Sequence, residues 1–246
     1  MTETVLVLGG RSDIGLAVAY RFAAAGHPVA LAARNASDLE ADRADIAIRH
    51  GVEATLHDYD ALDTAALAGF VDSFDPVPGI VVCAVGAMGD QATNAADPAA
   101  AAHVMRTNYE APAQALEMFA ARMTARGSGT LVGISSVAGD RGRAVNYVYG
   151  SAKAGFTAYL SGLRNRLWGT GVHVVTVKPG FVATRMTEGM DLPGALTASP
   201  EAVAETIIRA VTGGRSVVYV KPVWRVIMGI ICAIPEPIFR KTRIGS

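Results

Sequence analysis

The chain has 246 residues, of which 51% are apolar and 18% charged, with basic and acidic residues balanced at 22 each. That length suits one large α/β domain with a sizeable core, and the charge balance gives no reason to expect a nucleic-acid surface. The five histidines lack ligand spacing, so no metal is expected; Cys83 and Cys232 lie far apart in apolar runs and read as buried free thiols of a reducing compartment.

Residues 4–8 form a short apolar run without a charged leader or a cleavage site, and so read as a first strand. Further β-branched runs follow at 28–33, 52–56, 79–85, 129–135, 172–178 and 216–220. Segments of helical period lie between them, at about 14–25, 36–50, 61–74, 98–126, 147–168 and 200–212. This alternation predicts parallel strands joined by crossover helices, a single doubly wound sheet of about seven strands with helices on both faces. No composition break marks a second domain before residue 222.

The first turn reads Gly9-Gly10-Arg11-Ser12-Asp13-Ile14-Gly15, directly after a strand and opening a helix. That context fits a dinucleotide fingerprint: Gly9 for the tight turn, Gly15 for close packing, and free amides of Ser12 to Ile14 aimed at a pyrophosphate. It fits equally a ligand-free glycine-rich turn. Asp13 would repel a pyrophosphate, so it is expected to turn away and cap the helix. The second strand ends in Ala33-Arg34. The absence of an acidic residue there, together with the guanidinium of Arg34 and a second one on Arg11, favours a 2′-phosphate and hence NADP(H) over NAD(H).

The fifth strand delivers Ser136 to the carboxyl edge of the sheet, where ligands of open α/β sheets bind. Tyr149 follows thirteen residues later and Lys153 four after that, on one helix face. An ammonium beside a phenol favours the phenolate. Lys153 is therefore expected to lower the Tyr149 pKa, with Ser136 giving a second hydrogen bond to the same substrate oxygen. Tyr147 has no lysine four residues on, and either faces substrate or is packed. Residues 185–199, with Met186, read as a lid over substrate or as a plain surface loop.

The Ser136, Tyr149 and Lys153 pattern resembles the short-chain dehydrogenase/reductase family, with a Rossmann-type fold, and the other motifs keep the family's order over about residues 3–220. The resemblance implies carbonyl reduction or alcohol oxidation with NAD(P). It places Asp58, followed by Tyr59, at the adenine, Ala84, Val85 and Gly86 by the adenosine ribose, and Asn108 in a proton relay behind Lys153. It sets Pro179, Gly180, Val182 and Thr184 at the nicotinamide carboxamide. It also implies a homodimer or homotetramer through helices 98–126 and 147–168. The chain departs from the family where Leu8 replaces Thr, Asp13 replaces Gly, and Cys83-Ala84 replaces Asn-Asn.

After Val220, residues 223–246 form an apolar and basic extension, in which the run Val223 to Ile234 is strongly apolar and is flanked by Lys221, Arg225, Arg240, Lys241 and Arg243. It is too short to span a bilayer and reads as a helix packed on the domain or lying on a membrane surface. A closer resemblance is to the decaprenylphosphoryl-2-keto-erythro-pentose reductases. It rests on the GG-x-S-acidic-IG turn, the stretch Asp58 to Asp63, Val148-Tyr149-Gly150-Ser151 and the closing Ile-Pro-x-x-Ile-Phe-Arg-Lys. It implies a lipid-linked keto-sugar substrate, its phosphate met by Arg141 and Arg143, and a cytoplasmic protein in peripheral contact with membrane. A general ketone or 3-oxoacyl thioester substrate, or a non-catalytic NADP(H) sensor, fits the other motifs as well.

Overall fold

The computed structural model describes residues 2–242, so Arg243 lies outside the described residues. In chain order the elements are β1 (Val5–Leu8), α1 (Asp13–Ala23), β2 (Val29–Ala33), α2 (Glu40–His50), β3 (Ala54–Asp58), α3 (Leu67–Asp72) and β4 (Ile80–Cys83). Next come α4 (Gln91–Ala96), α5 (Pro98–Met105), α6 (Ala111–Arg126), β5 (Gly129–Ile134), α7 (Tyr147–Arg166) and β6 (Val172–Lys178). The remainder is β7 (Phe181–Val182), β8 (Thr197–Ala198), α8 (Pro200–Thr212), β9 (Val217–Tyr219), α9 (Val223–Ala233) and α10 (Glu236–Phe239).

Seven strands form one parallel sheet in the order β3-β2-β1-β4-β5-β6-β9, while β7 and β8 make a separate short ladder. The strands read as unbroken apolar runs because helices cover both faces of the sheet. Strand periodicity divides the side chains between two cores. Val5, Val7, Leu31, Val82, Val132 and Val175 pack under α1 and α8, through Val18, Phe22, Val203 and Ile207. Leu6, Leu8, Val81, Leu131 and Val174 pack under α6 and α7, through Phe119, Met123, Phe156 and Leu160. Strand order reverses between β1 and β4, so their carboxyl ends open the crevice in which such sheets take ligands.

The expected helix 98–126 is interrupted. Arg106–Glu110 is one π-helical turn between α5 and α6. Within it Asn108 Nδ2 donates to the Val104 carbonyl at 2.8 Å, the acceptor its own backbone N–H would use in an α-helix. The expected strand at 52–56 instead runs 54–58, in register with β2 through Ala33 opposite Asp58.

α9 lies on the domain by one face. Trp224, Met228 and Ile231 are buried with Val137, the neighbour of Ser136. Its opposite face leaves Val226 and Ile230 exposed, at 63% and 64%. Among the described residues no helix is long and apolar enough to cross a membrane.

Candidate active site

The carboxyl ends of β1, β4, β5 and β6 deliver a cleft of about 550 Å³, lined by Ser12, Gly86, Ser136, Asn146, Tyr149, Lys153 and Thr184 among others. A second cleft of about 330 Å³ adjoins it on the side of Ala33, Arg34 and Tyr59. Ser12, Ala84, Val85, Gly86 and Arg185 line both.

The glycine-rich turn is built by contact as much as by backbone freedom. Gly9 sits at φ +86° and passes so close to β4 that a Cβ would meet the Ala84 carbonyl carbon at 2.9 Å. A Cβ on Gly15 would lie 2.4 Å from the Gly9 oxygen. Ser12, not Asp13, caps α1: its Oγ accepts from the Gly15 N–H at 3.0 Å. The Asp13 carboxylate is taken by Arg185, whose backbone N–H donates to Oδ2 at 2.7 Å and whose Nε donates to Oδ1 at 2.8 Å. Arg185 also donates from Nη2 to the Arg11 carbonyl. The expected cap thus becomes a tie between the first turn and the start of the 185–199 loop.

Arg11 is committed as well. Its guanidinium pairs with Asp38 and donates to the Asn35 carbonyl at 2.9 Å, whereas Arg34, exposed at the mouth of the smaller cleft, has no acidic partner among the described residues. Asp58 uses one oxygen to accept from the Ala36 N–H at 2.8 Å, while Tyr59 and Asp60 line the cleft. The Tyr59 hydroxyl and the Thr107 hydroxyl are buried there without partners among the described residues. Orphaned hydroxyls, a close-approach glycine turn and the start of α1 together fit a dinucleotide.

At the inner end Ser136, Tyr149, Lys153 and Asn108 converge. Ser136 is buried, in extended backbone, with its Oγ accepting from the Ala138 N–H at 3.1 Å. Ser135, just before it, pins α7 to the strand end through the Lys153 carbonyl at 3.1 Å and Thr157 at 2.6 Å. Lys153 is 3% exposed; its Nζ donates to the Ile134 carbonyl at 3.0 Å and lies 5.8 Å from the Tyr149 ring centre. A Cβ on Gly86 would meet Asn108 Oδ1 at 3.1 Å and Lys153 Nζ at 3.6 Å, so Gly86 covers both. Asn108, fully buried, holds that strap in place: its Oδ1 accepts from the Ala87 N–H at 3.3 Å and its Nδ2 donates to the Ala87 carbonyl.

The electrostatics differ from expectation. Burial pushes the Tyr149 phenol up to about 12, and the neighbouring Ser136 hydroxyl, rather than Lys153, is what pulls it back. Burial also draws Lys153 down to about 8. Desolvation therefore outweighs the ammonium–phenol attraction in this geometry. Tyr149 is held neutral and protonated near pH 7, a form suited to giving a proton.

Two candidate substrate residues lie elsewhere. Arg141 donates from Nη1 to the carbonyls of Ile231, Cys232 and Ile234 at 3.0, 3.1 and 2.6 Å, pairs with Glu236 at 2.8 Å and stacks on Phe239. It closes the end of α9, where carbonyls lack partners, rather than meeting substrate. Tyr147, 49% exposed, opens α7 outside the cleft lining. Met186 does line the cleft, and Pro179, Gly180, Val182 and Thr184 form its far wall.

Trp224 was not legible as a site residue. It lines the cleft, donates to the Leu196 carbonyl at 3.1 Å, and lies so close to Gly180 that a Cβ there would be 2.0 Å from the indole. A glycine after Pro179 and a tryptophan in an apolar tail were the available signals, but only the fold brings them together.

Comparison with known proteins agrees with this arrangement. The pattern of the family described as short chain dehydrogenase matches residues 3–192. An uncharacterised oxidoreductase of Mycobacterium tuberculosis is 41% identical over 241 residues, covering 96% of each chain. An acetoacetyl-CoA reductase of a Synechocystis species is 31% identical over 185 residues, covering 75% of this chain and 74% of that one. Among solved structures, a short chain dehydrogenase of Burkholderia cenocepacia in complex with NADP superposes with a TM-score of 0.85 at 18% identity, covering 100% of this chain and 98% of that one. By its sequence and its fold, this chain belongs to the short chain dehydrogenase family.

Proposed function

We propose that the protein is an NADP(H)-dependent reductase that converts a carbonyl to an alcohol. The observation that carries the reading is the meeting of Ser136, Tyr149 and Lys153 in one cleft, with Asn108 buried behind Gly86 and Ala87, adjoining a glycine-rich turn shaped for a dinucleotide. The cofactor, when bound, supplies the hydride. Ser136 and Tyr149 hydrogen-bond the carbonyl oxygen as negative charge develops there, and Tyr149 gives it a proton. Lys153, buried beneath Gly86, holds the cofactor ribose, and Asn108 fixes the strap beside it. Arg34 selects the 2′-phosphate. The NADP-bound structural neighbour and the acetoacetyl-CoA reductase relative support cofactor and reaction class. The test follows NADPH absorbance with acetoacetyl-CoA and simple ketones. Turnover that persists unchanged in Tyr149→Phe sinks the reading.

A second reading, a lipid-linked keto sugar as substrate, is favoured by one feature. The cleft wall contains Trp224 of α9, whose outer face exposes Val226 and Ile230, and Met186 and Met190 of the loop lie at the same mouth, half exposed. Binding of the protein to anionic liposomes, lost in Val226→Glu/Ile230→Glu, supports it; no binding removes it. Assembly through residues 98–126 and α7, where Met105 at the end of α5 and Tyr109 in the π turn are exposed, is checked by light scattering.

A further inference from the structure

Behind the cleft lining lies a buried ion pair that the reading above does not use. Asp140 follows the short turn Val137–Gly139 after Ser136, and its N–H donates to the Val137 carbonyl at 3.1 Å. Its carboxylate accepts from the Lys178 ammonium at Oδ1 and from the Tyr219 hydroxyl at Oδ2, the latter at 2.9 Å. The Lys178 and Asp140 side chains are 11% and 9% exposed. Among the described residues every other ion pair keeps a side chain more than a third exposed. A buried pair adds little net stability, because desolvation offsets its attraction and apolar side chains of similar volume hold a fold as well. Stability alone therefore gives no account of these charges.

What the pair joins gives it a use. Lys178 ends β6 and precedes Pro179. Pro179 and Gly180 line the cleft, as do Ser136, Val137 and Ala138, whereas Asp140, Lys178 and Tyr219 do not. The turn after Ser136 is wedged between two neighbours. A Cβ on Gly139 would lie 2.7 Å from the Lys153 carbonyl carbon, so the turn packs closely on α7. On its other side the Val137 N–H donates to the Pro179 carbonyl at 2.9 Å. That backbone bond and the Asp140–Lys178 pair span the same gap, and Tyr219 of β9 completes the joint. Burial and the carboxylate push the Tyr219 phenol up to about 12, which keeps it a donor to Asp140.

We propose that Asp140 and Lys178 are positioning residues, which fix Ser136 relative to the Pro179–Gly180 turn and so set the approach of the substrate carbonyl to the nicotinamide. The proposal rests on the reading of the cleft as a carbonyl-reducing centre with the nicotinamide at that turn. Neither residue touches substrate or cofactor; both act through the two segments they join. A reacting geometry misplaced by about 1 Å costs about a hundredfold in rate, so a stiff joint matters even where it adds no stability.

The test uses Asp140→Asn/Lys178→Met, which removes both charges at nearly constant volume and is expected to melt within a few degrees of the parent. Single turnovers of the NADPH-loaded protein with acetoacetyl-CoA separate two effects: lost folded protein lowers the amplitude, and lost positioning lowers the rate constant. The rate constant is expected to fall about tenfold or more with the amplitude held. Without substrate, hydrogen exchange at the Val137 amide is expected to accelerate by about tenfold or more, with the Val132 amide of β5 unchanged. A smaller fall in rate overturns the proposal, as does unaltered exchange at Val137. Should the double variant fail to fold, Tyr219→Phe, which frees one Asp140 oxygen and removes no charge, decides by the same two readouts: a parental rate or parental exchange overturns the proposal. A parent that reduces neither acetoacetyl-CoA nor simple ketones sinks the carbonyl reading instead, and exchange at Val137 alone then judges the joint.

Discussion

The Asp13 carboxylate bridges the backbone N–H and the Nε of Arg185, joining the glycine-rich turn to the loop that enters the cleft from the other side. The pair neutralises an acid that stands where a pyrophosphate is expected. Arg185→Gln removes the guanidinium and its charge while the backbone N–H contact stays, and the NADPH dissociation constant is expected to rise about fivefold to tenfold, on the order of 1 kcal/mol for a partly exposed charge. Adding Asp13→Asn should restore affinity to within about twofold. Fluorescence titration of the two single variants and the double variant checks this, and additive losses refute it.

Tyr149→Phe removes the proposed proton donor without emptying the cleft. Turnover should fall roughly a hundredfold to ten-thousandfold, the range for a positioned acid, while NADPH affinity stays within about twofold. Steady-state kinetics with equilibrium binding separates the two effects.

Lys153 gives a stability prediction with a definite sign. Its folded pKa, about 8, lies below the ordinary value of 10.5, so between these values the unfolded chain holds more protons and stability rises with pH. Below pH 8 the full penalty of burial applies, on the order of 3 kcal/mol. Lys153→Met should therefore melt several degrees higher than the parent at pH 7 in the absence of cofactor, with the gap closing as pH rises from 8 to 10.5. The same variant should be inactive. Calorimetry across that range checks it; a constant gap rules the argument out.

Gly180→Ala drives a methyl into the Trp224 indole, a rigid neighbour, and should destabilise by roughly 2 kcal/mol or more. Trp224→Leu in the same chain should recover most of the loss. Thermal melts of the single and double variants decide it.

Arg141→Ala strips the partner from three carbonyls at the end of α9. The loss is expected to be on the order of 2 kcal/mol, with hydrogen exchange accelerating across residues 228–239. Unchanged exchange there counts against the clamp.

What the sequence made readable was local. The seven strands were legible because short β-branched runs alternate with segments of helical period, the pattern of parallel strands joined by crossover helices. Tyr149 and Lys153 share a helix face by spacing alone. What escaped depended on partners far along the chain. Asp13 meets Arg185, Arg141 meets the end of α9, and Gly180 meets Trp224, all across separations that no periodicity encodes. The π turn was hidden because apolar periodicity does not report a single widened turn, here the one that holds Asn108. The Tyr149 proton affinity was misjudged because desolvation is set by packing density, which residue spacing does not report.

The position of Trp224 orders events during synthesis. The ribosome completes the strands, the glycine turn and the tyrosine helix before the residue that finishes one wall of the catalytic cleft has left the exit tunnel. The smaller cleft, beside Arg34 and Tyr59, draws none of its lining from beyond Arg185, whereas the wall at Gly180 waits for the indole of Trp224.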